Sequence, residues 1–163
     1  PLVKRCLGEE NMHLFPEVLK RFKAAYSENC LIYTDVYPGV KEVLEGLWAD
    51  GIDMAVATNK AFPVTQKILR GLDIEKYFKV VVGPETVKNR KPHPEGVFII
   101  LERLNRQPEN AMMVGDMDLD IEMGKNAGVL TCGVTYGIGS VESLVQAGAD
   151  FILTDIRRLL YLV

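Results

Sequence analysis

Residues 113–120 read Met113-Val114-Gly115-Asp116-Met117-Asp118-Leu119-Asp120, and they decide the predicted fold. The apolar run from Ala111 to Val114 has the composition of a buried strand, and a helical pattern follows the three alternating carboxylates. In an α/β protein, acids at the carboxyl end of a strand lie where such sheets bind ligands. Crowded carboxylates there need a counter-charge, and a hard divalent cation is the expected one. The stretch therefore predicts an α/β fold with a cation site at a strand end.

Apolar segments with strand character alternate with amphipathic segments along most of the chain. We predict strands at 54–57, 80–82, 111–114, 129–134 and 151–153. We predict helices from Pro38 to a stop at Gly51 and at about 62–72, 94–105, about 119–127 and 140–147, followed by a final helical turn. This order predicts βαβ units and a doubly wound, Rossmann-like parallel sheet.

The first part of the chain lacks this alternation. Its apolar residues fall at helical spacing, which predicts one amphipathic helix through Phe15, Val18, Leu19, Phe22 and Tyr26. We therefore expect two domains, a helical subdomain at 1–35 and an α/β core at 36–163.

Composition excludes several classes of protein. The 163 residues carry a net charge of −3 with both signs interspersed, which argues against a nucleic-acid-binding surface. Cys6, Cys30 and Cys132 are odd in number and far apart, which is typical of reduced thiols in the cytoplasm. No apolar run reaches the ~20 residues of a membrane span. We expect a cytoplasmic protein with neither a nucleic-acid nor a membrane partner.

Because the chain starts at Pro1 rather than Met, we expect it to be processed, trimmed or incomplete there.

A hydroxyl follows the predicted strand at 54–57. The sequence Val56-Ala57-Thr58-Asn59-Lys60 leads from strand into helix. A threonine hydroxyl together with the free backbone N–H groups of a helix start can bind an anion. The alternative is that Thr58 only caps the helix.

A lysine lies on a proline-stiffened loop before the next helix, in Asn89-Arg90-Lys91-Pro92-His93-Pro94. A rigid loop suits an ammonium that neutralises a phosphate as a point charge. The alternative is a solvated lysine beside a proline turn. We interpret His93 as a helix-cap or loop-packing residue rather than a catalyst.

The acid cluster offers more than one role. We expect Asp116 to end the strand, Asp118 to be the helix N-cap and Asp120 to sit in the first helical turn. The helix dipole favours an acidic residue at a helix start, and this alone is a sufficient explanation for Asp118. It explains Asp116 poorly, because that residue precedes the helix. We therefore favour metal binding by Asp116 with support from Asp120.

A hydroxyl, an ammonium and a carboxylate pair thus occur in that order at strand ends. They resemble three motifs of the haloacid-dehalogenase-like (HAD) superfamily of aspartyl-phosphate-forming phosphatases. The resemblance covers 36–163 well and the helical start more loosely. It is closest to the phosphoglycolate phosphatase branch in the stretches VATNK, KNRKPHPE, VGDMDLDIEMGKNAG, GVTYG and QAGADFILTDIRRL. It implies a Mg²⁺-dependent phosphomonoester hydrolase that acts on a small phosphorylated metabolite, 2-phosphoglycolate being the expected one.

The resemblance also implies roles for individual residues. Thr58 would hydrogen-bond the transferring phosphoryl group, helped by the Asn59 N–H. Lys91 would bridge that phosphate and the nucleophile. Asp116 would ligate Mg²⁺, and Asp120 would hold the water shell of the metal or orient Lys91.

Two further expectations follow from the resemblance. Lys60 would either meet a substrate carboxylate or be solvated. Residues 1–35 would be part of the helical cap that these enzymes close over substrate.

One motif of the family is missing. The nucleophile of the family lies in a DxDGT motif on the central strand, and the DxD runs of this chain occur only within 116–120. We therefore expect the chain as given to be an inactive fragment that lacks the attacking Asp, an acid/base Asp, a metal ligand and their strand. That strand belongs between the strands predicted at 54–57 and 111–114. We expect another segment, or a strand from another chain, to fill the gap. Whether the chain forms a homo-oligomer is left open.

Two alternatives from other classes remain. One is a catalytically dead, regulatory relative of the same superfamily. The other is a phospho-accepting signalling receiver domain, which also uses acids, Thr, Lys and Mg²⁺ on a doubly wound sheet. In a receiver domain the acid pair comes first in the chain, whereas Thr58 and Lys91 precede the acids here.

Overall fold

The structure is a computed structural model that describes residues 2–163, apart from the side chain of Leu2. The chain divides into two compact units, Pro1–Asp35 and Val36–Val163. That the first unit is part of a cap, and that the second lacks its first strand, stay predictions.

The first unit is helical. Its elements are α1 (Leu2–Leu7), a 3₁₀ helix (Met12–Leu14) and α2 (Phe15–Asn29). The amphipathic spacing predicted α2, which has Pro16 at its start and Glu17 in its first turn, both favourable at a helix N-terminus. On α2 the rings of Phe22 and Tyr26 stack with their centroids 6.1 Å apart.

The second unit alternates strands and helices, which confirms the predicted α/β fold class. Its strands are β1 (Met54–Ala57), β2 (Phe78–Val82), β3 (Met112–Gly115), β4 (Leu130–Val134) and β5 (Phe151–Leu153). Its helices are α3 (Val40–Ala49), α4 (Phe62–Gly71), α5 (Glu95–Leu104), α6 (Asp118–Ala127) and α7 (Val141–Gln146). Short 3₁₀ helices occupy Glu75–Tyr77, Pro108–Asn110 and Ile156–Tyr161.

The strands form two parallel sheets. β1 pairs with β2, and a second sheet has the order β3-β4-β5, with β5 at its edge. Within residues 2–163, β1 and β3 belong to different sheets and do not pair. The carboxyl ends of parallel strands meet at one edge of a sheet, so the connections β1–α4, β2–α5 and β3–α6 are where a ligand site is expected.

Side-chain alternation along the strands separates two hydrophobic cores. Met112 and Val114 of β3 pack against one core, and Met113 packs against the other. The first core contains residues of α3 and of the 3₁₀ helix Ile156–Tyr161, and the second contains residues of α5 and α6. Helices therefore cover both faces of the strands, as in a doubly wound fold.

Burial differs sharply between the strands. Thr131 to Val134 of β4 are buried, whereas all four residues of β3 and three of the four residues of β1 are only half-buried. Apolar strands of a parallel sheet are normally covered on both sides. β1 and β3 therefore have the apolar composition of inner strands without the burial of inner strands.

No helix within residues 2–163 combines the length and the apolar character that crossing a bilayer requires.

Candidate active site

The loop after β1 carries Thr58 in a position that helix capping does not explain. The Thr58 N–H donates to the Val82 carbonyl of β2 at 2.9 Å, and its hydroxyl oxygen accepts the Lys60 N–H at 3.1 Å. α4 begins only at Phe62, so the helix-cap alternative for Thr58 is wrong.

The helix after Thr58 begins at Phe62, as predicted, so a loop rather than the helix start lies directly beside Thr58. Four residues separate Ala57 from Phe62, and the Phe62 N–H donates to Glu85 Oε2 at 3.0 Å. The first backbone donor of α4 is therefore bound to a glutamate of the loop after β2. The backbone groups left to meet an anion at this strand end are those of the loop itself.

The loops after β1 and β2 meet around a small pocket. Thr58, Asn59, Lys91 and His93 line it, with further lining from the strand ends. The Lys91 N–H donates to Asn59 Oδ1 at 3.4 Å, which links the two loops directly. The pocket lining in the described part of the chain does not include Lys60 or Asp116. The structure therefore brings Thr58, Asn59 and Lys91 together at the pocket, whereas Lys60 contacts Thr58 through its backbone N–H without lining the pocket.

Lys91 forms an ion pair with Asp120 that joins the loop after β2 to α6. Lys91 Nζ lies 2.6 Å from Asp120 Oδ1, and the two side chains are only 13% and 11% exposed. The alternative of a solvated Lys91 is therefore wrong. The other carboxylate oxygen, Asp120 Oδ2, accepts the Met117 N–H at 3.1 Å and so caps the start of α6.

The predicted N-cap role of Asp118 is wrong by one position. α6 begins at Asp118 with Met117 as its N-cap residue, and Asp118 Oδ1 accepts the neighbouring Leu119 N–H at 2.8 Å. Asp120 reaches back to the N-cap backbone in its place. Asp118 still lies in the first turn, where the helix dipole favours a carboxylate.

Asp116 directly follows β3 and is enclosed by the loop after β4. Its Oδ2 accepts the Ile138 N–H at 2.7 Å, and its carbonyl accepts the Gly139 N–H at 3.1 Å. A Cβ at Gly137 would lie 2.2 Å from Asp116 Oδ2, so only glycine permits this approach. The loop therefore fixes the Asp116 carboxylate through one of its two oxygens.

The donor set fits Mg²⁺ in part. Within residues 2–163, no three His, Cys, Asp or Glu side chains are grouped to hold a metal ion. Mg²⁺ is usually held by one or two carboxylates, with water and substrate phosphate completing its octahedron. Asp116 offers one hard oxygen of this kind, and further ligands would have to come from water, substrate or another carboxylate.

Several residues that shape the site were not predicted. The carboxylates of Glu85 and Glu95 each accept backbone N–H groups in these loops, and Asn126 Nδ2 donates to the Pro92 carbonyl at 3.1 Å. His93 was predicted as a helix-cap or loop-packing residue, and its Nδ1 accepts the Glu95 N–H of the first turn of α5 at 3.2 Å. A glutamate directly after a proline loop is the one signal in the sequence that could have indicated Glu95.

Comparisons with known proteins point to one family. A family profile described as haloacid dehalogenase-like hydrolase matches residues 3–134. The phosphoglycolate phosphatase of Salmonella typhimurium is 36% identical over 160 residues, covering 98% of this chain and 62% of that protein. The phosphoglycolate phosphatase of Escherichia coli strain K12 is 35% identical over 153 residues, covering 94% of this chain and 60% of that protein.

A solved structure gives the same result for the fold. The crystal structure of a predicted phosphoglycolate phosphatase from Haemophilus somnus 129pt superposes with a TM-score of 0.85 at 31% identity. The match covers 96% of this chain and 68% of that one. The chain spans about three fifths of the length of the curated relatives named above.

Proposed function

The chain belongs to the haloacid dehalogenase-like hydrolase family, and we propose that its α/β unit is the phosphate-binding part of a Mg²⁺-dependent phosphomonoester hydrolase. The observation that carries the proposal is the enclosed ion pair of Lys91 and Asp120 beside Thr58 and Asn59. A hydroxyl and an ammonium at one pocket suit a phosphate dianion. Family membership also sets aside the receiver-domain alternative.

The residues of the chain divide the work of binding phosphate. Thr58 donates its hydroxyl to a phosphoryl oxygen, and the Asn59 N–H adds a second donor. Lys91 neutralises the phosphate and the nucleophile, and Asp120 orients the Lys91 ammonium. Asp116 would hold Mg²⁺, because the Ile138 N–H engages only one of its two carboxylate oxygens. The metal ion supplies charge neutralisation for the phosphoryl oxygens.

The remaining groups would lie on a strand between β1 and β3. The half-buried, apolar β1 and β3, which do not pair with each other, support this proposal. In the family this strand carries the aspartate that attacks phosphorus and the second aspartate that protonates the leaving oxygen. Hydrolysis through an aspartyl-phosphate is therefore proposed for the protein that contains this strand, whether the strand comes from the same polypeptide or from another chain.

The substrate we propose is a small phosphorylated metabolite, and specifically 2-phosphoglycolate. Two curated phosphoglycolate phosphatases at 36% and 35% identity support it. Lys60, two residues after Thr58, is the group we assign to the substrate carboxylate. A location in the cytoplasm, where such metabolites occur, belongs to the same proposal.

A substrate comparison tests the proposal. The protein expressed from its complete native reading frame would be assayed with Mg²⁺ on 2-phosphoglycolate and on 2-hydroxyethyl phosphate, which has a neutral hydroxymethyl group where the first has a carboxylate. We expect 2-phosphoglycolate to be hydrolysed faster. Lys60→Met should raise its KM about tenfold, because a charge-assisted hydrogen bond contributes about 1.5 kcal/mol or more. The exposed Lys41 of α3 provides the control variant, Lys41→Met.

Two outcomes would contradict the proposal. Equal rates on the two esters, with no effect of Lys60→Met, would remove 2-phosphoglycolate as the substrate. The absence of hydrolysis of any phosphomonoester would favour the catalytically dead relative.

A further inference from the structure

Glu95 binds the loop that carries Lys91. Its Oε1 accepts the Lys88 N–H at 2.9 Å, and its Oε2 accepts the Asn89 N–H at 2.9 Å and the Asn89 side-chain amide at 3.0 Å. Glu95 is the first residue of α5, so its own backbone belongs to a rigid element. One carboxylate on a helix thus fixes two consecutive peptide groups of the loop.

The rest of the loop is fixed to other elements. The His93 N–H donates to the Arg90 carbonyl at 2.9 Å, and Asn126 of α6 donates to the Pro92 carbonyl at 3.1 Å. The Lys91 N–H donates to Asn59 Oδ1 at 3.4 Å. The backbone of Lys91 is therefore held on both sides, with the Glu95 carboxylate as the anchor on its N-terminal side.

We infer that Glu95 is a positioning residue for Lys91: it fixes residues 88 and 89 so that the Lys91 ammonium meets Asp120 at the phosphate site. The catalytic part of this inference rests on the proposed function, but the positioning part does not. A lysine side chain loses ~2 kcal/mol of rotamer entropy when it is fixed in one geometry. A backbone that is already fixed leaves only the side chain to be ordered.

The chemistry requires a carboxylate rather than an amide at this position. Two acceptor oxygens are needed to bind Lys88 and Asn89 together, and glutamine has only one. The amide group of a glutamine would also direct N–H donors at backbone N–H donors. The Lys88 N–H, followed by the Asn89 N–H, lowers the pKa of Glu95 below its usual value, so the carboxylate stays ionised at neutral pH.

Side-chain labelling tests the positioning directly. The rate of reductive methylation of Lys91 would be followed by mass spectrometry in the wild type, in Glu95→Gln and in Glu102→Gln, which changes an exposed glutamate of the same helix. We expect Glu95→Gln to speed labelling of Lys91 several-fold and Glu102→Gln to leave it unchanged. Lys125, which pairs with Asp150, should be labelled at the same rate in all three proteins.

A double-mutant cycle tests the catalytic part in the protein expressed from its complete native reading frame. Glu95→Gln should lower kcat/KM about tenfold or more, since small displacements of a positioning group can cost up to ~10²-fold. In a Lys91→Met background, the same substitution should have less than about a twofold effect, because the two residues act as one unit. Should Glu95→Gln fail to fold, Asn89→Ala, which removes one of the three hydrogen bonds, takes its place with a smaller expected effect.

Each outcome decides a separate point. Unchanged labelling of Lys91 in Glu95→Gln overturns the inference, whatever the activity. Equal losses of activity in both backgrounds overturn it as well, since Glu95 then acts independently of Lys91. Faster labelling of Lys91 in Glu95→Gln, together with a wild type that hydrolyses no phosphomonoester, supports the positioning and rejects the proposed function alone.

Discussion

Lys91 Nζ lies 2.6 Å from Asp120 Oδ1, and the pair joins the loop between β2 and α5 to the first turn of α6. The pair is largely withdrawn from water, with exposures of 13% and 11%. Asp120 also caps α6 through its second oxygen, accepting the Met117 N–H. One carboxylate therefore positions the candidate phosphate-binding lysine and fixes the helix that follows Asp116.

Removing the Lys91 charge should destabilise the fold. Lys91→Met keeps most of the side-chain length and leaves the Asp120 carboxylate enclosed without its cation. Breaking such a pair costs about 3–5 kcal/mol of unfolding free energy. Urea unfolding of the wild type and of Lys91→Met measures this loss of unfolding free energy. Lys76→Met, which breaks the exposed pair of Lys76 with Asp73, is the control and should change stability little. Equal effects of the two variants would show that burial of the Lys91 pair is energetically irrelevant.

Adding a methyl group at Gly137 should disturb the proposed metal site at Asp116. The new Cβ would lie 2.2 Å from Asp116 Oδ2 and 2.3 Å from Asp116 Cβ, so the carboxylate has to move. We expect a loss of about 10–100-fold in Mg²⁺ affinity, the range seen when groups that orient a ligand are changed. Isothermal titration with Mg²⁺ measures this affinity. Gly51→Ala is the control, because its Cβ would meet no atom within 4 Å although its φ of +75 strains the backbone. Unaltered Mg²⁺ affinity in Gly137→Ala would argue against Asp116 as a ligand.

Asp150 should make the fold sensitive to acid. Hydrogen bonds from the Lys125 ammonium and then from Thr131 lower the pKa of Asp150 from 3.8 to about 2. A lowered folded-state pKa stabilises the fold at pH values above the unfolded-state pKa, and this contribution disappears as the pH falls through the folded-state value. The difference in unfolding free energy between the wild type and Asp150→Asn should therefore be constant above about pH 5 and shrink between about pH 4 and about pH 2. Urea unfolding at a series of pH values checks it, and a difference that does not change with pH would contradict it.

The sequence predicted the elements of the α/β unit well where the signal was local. The predicted strands at 54–57 and 151–153 are β1 and β5 as observed. Apolar composition and alternation depend on neighbouring residues, so one sequence is enough to show them. α1 was missed because it has six residues and no acidic residue in its first turn, which leaves little local signal.

The contacts that build the site join residues distant in sequence, and local patterns do not show them. Glu85 binds Phe62 across 23 positions, and Ile138 binds Asp116 across 22. The start of α4 at Phe62 was predicted, but the glutamate from the next connection that binds its first N–H was not. The resemblance to a family supplied the roles of Thr58, Lys91 and Asp116, which composition and spacing alone had left with alternatives.

Magnesium titration of three carboxylate variants tests most directly whether Asp116 holds the catalytic metal. Steady-state hydrolysis of 2-phosphoglycolate would be measured at increasing Mg²⁺ for Asp116→Asn, Asp120→Asn and Asp118→Asn in the protein expressed from its complete native reading frame. Asn is nearly isosteric with Asp but is a much poorer ligand for a hard cation.

Asp116→Asn should remove most of the Mg²⁺-dependent activity. Asp120→Asn should lower it about 10–100-fold, because Asp120 acts by orienting Lys91. Asp118→Asn should be close to neutral, since Asp118 bonds only to the neighbouring Leu119 N–H among the side-chain hydrogen bonds of the described chain. The predicted order of damage is therefore Asp116, then Asp120, then Asp118. Asp118→Asn as the most damaging variant, or full activity in Asp116→Asn, would contradict the assignment of the metal to Asp116.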